Sequence, residues 1–347
     1  MNSLIRSAVA LGAALFAAAP AAHAQVIADS VADFSGVQGQ HGWFYGYYDG
    51  DVIFPYTPAD FALFPTFDVG ISGAPEYWHL AEGPGGYFTL MRASRCHPNG
   101  RITSGDRRPI DHWAVRRFVS PINGLVRVRA AFSDLNTTCG NGVRVHIFVG
   151  SQEIYTAVVT SIFDRVFEMD LCVSTGTIID FAVDPLESWD SCDATSTVIT
   201  IVGPIIQHPE NVTTCLGGSS SLSVEVRGDD TNTFTYQWRK DGVPIQNGPH
   251  YAGVNSKTLS ILDARVAETG SYDCVVSVCG GAFISSPARV ELCYADYNCD
   301  SAVNSQDLFD FLRDLMQSNP RVDYINRDGY INTQDFFDFI NVFFTGC

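Results

Sequence analysis

The chain has 347 residues, enough for two or three domains. It carries 21 Lys and Arg against 38 Asp and Glu, a formal net charge of -17. That balance argues against nucleic acid as a partner, because phosphate binding needs clustered basic side chains. It suits an exported soluble protein or a cation binder.

The N-terminus has the pattern of an export signal. Arg6 follows a short polar start, an apolar run covers 8–19, and Ala22-His23-Ala24 closes it. Small residues at Ala22 and Ala24 predict cleavage before Gln25, which makes 1–24 a signal peptide and the mature chain secreted or cell-surface. The apolar run is shorter than the about 20 residues a bilayer span needs. No other stretch is long and apolar enough, so no transmembrane segment is expected in the mature chain. The 10 cysteines are even in number and follow the leader, so disulfides are the default.

Residues 25–206 read as strands and turns. The segments 124–132 and 143–149 alternate apolar and polar residues, as half-buried strands do. Strand-length runs follow at 154–162, 166–173, 178–183 and 197–202, punctuated by Asn123-Gly124, Asn141-Gly142 and Asp184-Pro185. The expected fold is an antiparallel β-sandwich. Two aromatic clusters offer candidate glycan contacts: Trp43, Tyr45 and Tyr47 in one, Trp113 and Arg116 in the other. Flat rings stack on sugars and guanidinium groups bond hydroxyls; the competing reading places the same residues in the core or in a sheet-surface lattice. No G-x-S-x-G, H-E-x-x-H or phosphate-cradling loop occurs, and no catalytic residue is nominated. The most local cysteine pairing here is Cys96–Cys139 and Cys172–Cys192. The stretches His112-Trp113-Ala114-Val115-Arg116-Arg117, Cys139-Gly140-Asn141-Gly142-Val143 and 179–185 resemble jelly-roll-like sandwich domains found beside carbohydrate-active modules in secreted bacterial proteins. That resemblance implies a polysaccharide ligand.

Residues 207–293 change pattern. Ser221 to Val226 alternates, Trp238 lies within a strand run, and Tyr272 stands two residues before Cys274. The last spacing is that of a tyrosine corner, and the segment resembles an immunoglobulin domain, a second β-sandwich. The family's strand-B cysteine is expected near Val224, whereas Cys215 lies before the strand. The preferred pairing is therefore Cys215–Cys279 with Cys274–Cys293; the family's ordinary pairing, Cys215–Cys274, stays open.

Residues 294–347 contain a duplication. Asn298, Asp300, Val303, Asn304, Gln306 and Asp307 recur twenty-eight positions on as Asn326, Asp328, Ile331, Asn332, Gln334 and Asp335. Each acidic loop precedes an amphipathic helical run: Leu308, Phe309, Phe311, Leu312, Leu315 and Met316 in the first, Phe336, Phe337, Phe339, Ile340 and Phe343 in the second. EF-hand loops place oxygens at positions 1, 3, 5, 7, 9 and 12, the seventh a backbone carbonyl. Here these are Asp296, Asn298, Asp300, Ala302, Asn304 and Asp307 in loop one. Loop two offers Asn326, Asp328, Tyr330, Asn332 and Asp335, but its register puts Tyr324 at position 1 and Asp323 one residue early. The expectation is either weaker binding in this loop or a bulge that lets Asp323 reach the ion. Ser301 replaces the glycine of position 6, while Gly329 keeps it. Val303 is expected to point inward and tie the loops together.

Loop-then-helix, duplicated, with Asp at position 12 and no helix before each loop, resembles the type I dockerins. The resemblance implies an EF-hand-like α-helical module, calcium as cofactor, and docking onto a cohesin-like protein. It gives Ser305, Gln306, Thr333 and Gln334 a role in choosing that partner. A Cys299–Cys347 bond would clasp the module's ends. The combined expectation is a mainly β, non-catalytic exported protein with a calcium-dependent tail for assembly or surface attachment. A polysaccharide-active hydrolase with its site in 25–206 and a cell-surface adhesin are the alternatives.

Overall fold

The computed structural model describes residues 25–49, 57–69, 76–80, 86–101, 108–136, 138–228 and 232–347; the expected leader lies outside them. The first unit holds strands β1 (Val26–Asp29), β2 (Trp43–Asp49), β3 (Phe61–Leu63), β4 (Thr66–Asp68), β5 (Tyr77–His79), β6 (Leu90–Met91) and β7 (Arg95–His97). It continues with β8 (His112–Val119), β9 (Gly124–Asp134), β10 (Val143–Val149), β11 (Gln152–Val159), β12 (Arg165–Val173), β13 (Ile178–Pro185) and β14 (Thr195–Val202).

One sheet runs β12-β9-β14-β7-β6-β5-β4 with β1 also beside β14; the other runs β11-β10-β13-β8-β2-β3. The strand pairings are antiparallel. Alternation puts Val126, Val128, Ala130 and Phe132 of β9 opposite Val143, Val145 and Ile147 of β10 in one core. This is the expected mainly β sandwich.

The second unit holds β15 (Ile205–Gln207), β16 (Val212–Cys215), β17 (Ser220–Ser223), β18 (Glu225–Val226), β19 (Thr235–Lys240), β20 (Val243–Pro244) and β21 (Tyr251–Ala252). It ends with β22 (Thr258–Ile261), β23 (Gly270–Val278), β24 (Gly281–Ile284) and β25 (Ala288–Cys293). Its main sheet is β16-β25-β23-β19-β20, with β16 parallel to β25; β17-β22-β21 covers the other side. Because β15 pairs with β18, this unit begins at about Pro204, slightly before the expected boundary after 206. Trp238 is fully buried, and the Tyr272 hydroxyl donates to Glu268 O at 2.6 Å, which realises the predicted tyrosine corner.

The two sandwiches share a packed seam. Leu125 of β9 sits in the second unit's core with Ile205 and Phe283. A Cβ on Gly281 would stand 1.9 Å from Asn123 O, so only glycine permits this backbone approach.

The tail holds α1 (Ser305–Met316) and α2 (Thr333–Thr345), with a short 3-10 turn over Pro320–Val322 between them. Each helix is opened by a reciprocal capping box, Asn304 with Asp307 and Asn332 with Asp335. Phe311 and Phe339, equivalent in the repeat, stack at 4.2 Å and 5° in the tail core.

The disulfides are Cys139–Cys192, Cys172–Cys279, Cys215–Cys299 and Cys293–Cys347; Cys96 and Cys274 are free and buried. Every expected pairing is thereby corrected: Cys96–Cys139, Cys172–Cys192, Cys215–Cys279, Cys274–Cys293, Cys299–Cys347 and the alternative Cys215–Cys274. Tertiary adjacency explains the outcome. Asp134 and Thr195 are partners on neighbouring strands, so the loops carrying Cys139 and Cys192 meet. Cys172 lies on the strand at one end of its sheet and reaches the second unit. Cys215 and Cys293 are register partners on parallel strands, and each takes one tail cysteine. Val224 occupies the strand-B position in the same core as Cys274, leaving that thiol no partner. Burial pushes the Cys96 and Cys274 thiols up to about 12, so neither is a ready nucleophile.

Candidate functional site

The two tail loops turn left-handed at equivalent positions. Cys299 and Ser301 have φ of 63° and 70°, and their repeat equivalents Arg327 and Gly329 have 54° and 83°. In loop one, Asp296 Oδ1 accepts from Asp300 N at 3.1 Å and Oδ2 from Ser301 N at 3.1 Å. In loop two, Asp323 Oδ1 accepts from Asp328 N at 3.1 Å and Oδ2 from Gly329 N at 2.9 Å. Asp323 therefore does the work of Asp296 despite the extra residue. Tyr324 is buried in the tail core and donates to Tyr294 O at 2.5 Å, so it belongs to packing.

The rest of each loop curls on itself. Asp300 N donates to Asn298 Oδ1 at 3.0 Å and Ala302 N to Asp300 Oδ1 at 2.9 Å. Asp328 N donates to Asn326 Oδ1 at 3.2 Å and Tyr330 N to Asp328 Oδ1 at 2.8 Å. Asp307 accepts from Asn298 N at 3.1 Å and Asn304 N at 2.9 Å. Asp335 accepts from Asn332 N at 2.8 Å. Asp296, Asp307 and Asp335 are buried carboxylates whose hydrogen-bond donors here are backbone amides. The basic side chain Arg313 pairs instead with Asp310 and Asp314. Among the described residues, no three His, Cys, Asp or Glu side chains already close on one point. The donor set in each loop is Asp, Asn and backbone carbonyl, all hard oxygen, which fits calcium rather than a softer metal.

Two further repeat partners escaped the sequence reading. Asn298 Nδ2 donates to Asp310 Oδ2 at 3.4 Å and Asn326 Nδ2 to Asp338 Oδ2 at 2.8 Å, tying each loop to the helix that follows. The Gln306 side chain, then Asn298 and Arg313, hold Asp310 below the ordinary carboxylate range. The offset between Asp310 and Asp338 carried the signal.

Ser301 in the left-handed region is strained where glycine would be free. Ser301→Gly is expected to stabilise the tail by about 0.5–1 kcal/mol, read as a higher thermal midpoint of the helical signal; an unchanged or lower midpoint would count against the strain.

Ser305, Gln306, Thr333 and Gln334 are exposed on the first turns of α1 and α2. Beside them the expected buried faces need correction. Phe309 and Met316 are 61% and 82% exposed, and their repeat equivalents Phe337 and Phe344 are 62% and 79% exposed. Val303, expected inward, is 39% exposed. It lines a cleft of about 270 Å³ between loop one and the second sandwich, with the paired Cys215–Cys299 and Cys293–Cys347 at its wall.

The candidate glycan residues are mostly interior. Trp43 and Tyr45 are fully buried between the sheets of the first sandwich. Arg116 is buried too, its guanidinium donating to Ser30 O at 2.5 Å and to Arg92 O and Ala93 O at 2.6 and 2.9 Å. Those three cannot stack on or bond an external sugar. Tyr47 is half-buried between Phe64 and His112. Trp113 is half-buried and stacks on His146 at 4.4 Å.

Residues 204–277 match the immunoglobulin domain family model. The chain carries an immunoglobulin-like domain. An 80-residue stretch is 32% identical to protein sidekick of Drosophila melanogaster, covering 22% of this chain and 4% of that protein. The titin M3 domain is 24% identical over 25% of this chain and 93% of its own, with a TM-score of 0.22. The twitchin kinase region from C. elegans is 16% identical over 25% of this chain and 16% of its own, with a TM-score of 0.23. These similarities extend over about a quarter of the chain, the share taken up by the immunoglobulin-like domain. Among the described residues, no helix is long and apolar enough to cross a membrane.

Proposed function

We propose that this chain is an exported assembly or attachment protein. Its dockerin-like tail binds calcium in the loops begun by Asp296 and Asp323 and then docks a cohesin-like protein partner. The observation that carries this reading is the two-fold surface: Phe309 with Met316 and Phe337 with Phe344, exposed at matching positions beside Ser305-Gln306 and Thr333-Gln334. A duplicated apolar stripe on two helices is costly in water and suits a protein partner's apolar face. Calcium would draw the loop oxygens together and fix each helix start, so docking depends on the ion through helix position. The four disulfides favour an oxidising compartment, and three of them lock the modules together.

The test is binding of purified cohesin domains to the full chain, with calcium and with chelator. Because either stripe can serve, Phe309→Asp alone is expected to leave affinity within about twofold, while Phe309→Asp with Phe337→Asp lowers it about 100-fold or more. Calcium-independent binding, or a double variant that binds normally, refutes the reading.

A further inference from the structure

Four buried carboxylates lie near one end of the first sandwich. Asp134 closes β9, Asp184 lies near the end of β13, and Asp190 and Asp193 lie in the connection to β14. All four are buried. The Cys139–Cys192 bond draws the connection after β9 onto this end. Left-handed Gly140 lets the two segments touch, because a Cβ there would stand 2.3 Å from Ser191 O and 3.5 Å from Asp193 Oδ1.

Three of these carboxylates have visible tasks. Asp134 Oδ1 accepts from Asn136 N at 2.8 Å, Asp184 Oδ2 meets His146 Nε2 at 2.8 Å, and Asp190 Oδ2 accepts from Gly100 N at 3.3 Å. Asp193 is different. It is 1% exposed, and both its carboxylate oxygens lack a hydrogen-bond partner among the described residues. Beside it, Asn141 donates through Nδ2 to Leu186 O at 2.6 Å, which leaves its Oδ1 buried and also unpartnered. Burial first, then the charges of Asp190, Asp134 and Asp184, push the Asp193 carboxyl up to about 8.

A carboxylate sealed from water without a donor is neutralised by a proton or met by a cation. A proton on Asp193 would remove its charge; a cation would do so and also meet several oxygens at once, Asn141 Oδ1 among them. Among the described residues, Asp193 Oδ1 and Oδ2 and Asn141 Oδ1 are buried oxygens without a hydrogen-bond partner. We infer that Asp193, Asn141 and Asp190, with Asp134 and Asp184 around them, hold a hard divalent cation, calcium, at this end of the sandwich. Among the described residues no three of these carboxylates already close on one point; binding the ion would draw them inward and pin the connection before β14. This site is separate from the tail loops and does not depend on their reading.

Terbium, a luminescent substitute for calcium, tests it on the full chain. Trp189 adjoins Asp190, Trp113 stacks on the His146 that meets Asp184, and the tail contains no tryptophan. Terbium emission excited through tryptophan should therefore report this site and be competed by calcium. It should fall about tenfold in Asp193→Asn and persist in Asp296→Ala with Asp323→Ala. An emission unchanged in folded Asp193→Asn overturns the proposal. Should that variant not fold, the unmodified chain decides: no calcium-competed, tryptophan-excited emission overturns it equally.

Discussion

Trp238→Ala is expected to unfold the immunoglobulin-like domain, at a cost of about 3–5 kcal/mol. That loss is a large share of the about 5–15 kcal/mol by which a domain is stable. Trp238 is fully buried, stands opposite Cys274 on β23, and donates its Nε1 hydrogen to Ser256 O at 3.0 Å. No cross-sheet disulfide shares the load, because Cys274 is a free thiol and Val224 stands in the same core without a sulfur to offer. Removing the indole leaves a cavity and takes away the hydrogen bond to Ser256 O. Urea unfolding followed by circular dichroism should show a separate early transition in the variant, with Trp238→Phe recovering part of the loss. A variant midpoint equal to the unmodified chain's would contradict this account of the core.

The second large effect concerns the bonds between modules. Replacing Cys215 with Cys299, or Cys293 with Cys347, by serine pairs is expected to cost the tail about 2–5 kcal/mol. The tail is short and its core is small, built on Tyr297, Phe311, Val322, Tyr324 and Phe339. A core of that size rarely holds a fold without staples or metal. Cys215 and Cys293 are neighbours on a rigid sheet, so both bonds anchor the tail to one edge. Hydrogen exchange should then quicken across α1 and α2 while β23 stays protected. Equal exchange in α1 and α2 would show that the tail stands alone.

Much of the fold was legible because it rests on local periodicity. The alternation at 124–132 and 143–149 became β9 and β10, and the Tyr272 spacing became the tyrosine corner. The repeat also carried the loop geometry, in which Asp323 accepts the two backbone hydrogen bonds that Asp296 accepts in loop one. What failed depends on distant neighbours. Disulfide partners follow strand adjacency, and Cys215 lies beside Cys293 only once β16 and β25 pair in parallel. Trp43 and Tyr45 have the composition of a sugar site, but alternation along β2 turns them inward. Phe309 and Phe337 read as core because helical spacing cannot tell which side of a broad apolar face is covered. Asp193 carries no motif in the sequence; its isolation appears only when the segments holding Cys139 and Cys192 close together.

The central claim is that the tail loops bind calcium. Native mass spectrometry of the full chain in calcium-buffered solution tests it most directly. The account predicts that Asp296→Ala with Asp323→Ala carries two fewer calcium ions than the unmodified chain, whatever the sandwich holds. Equal calcium counts in the two proteins would contradict it.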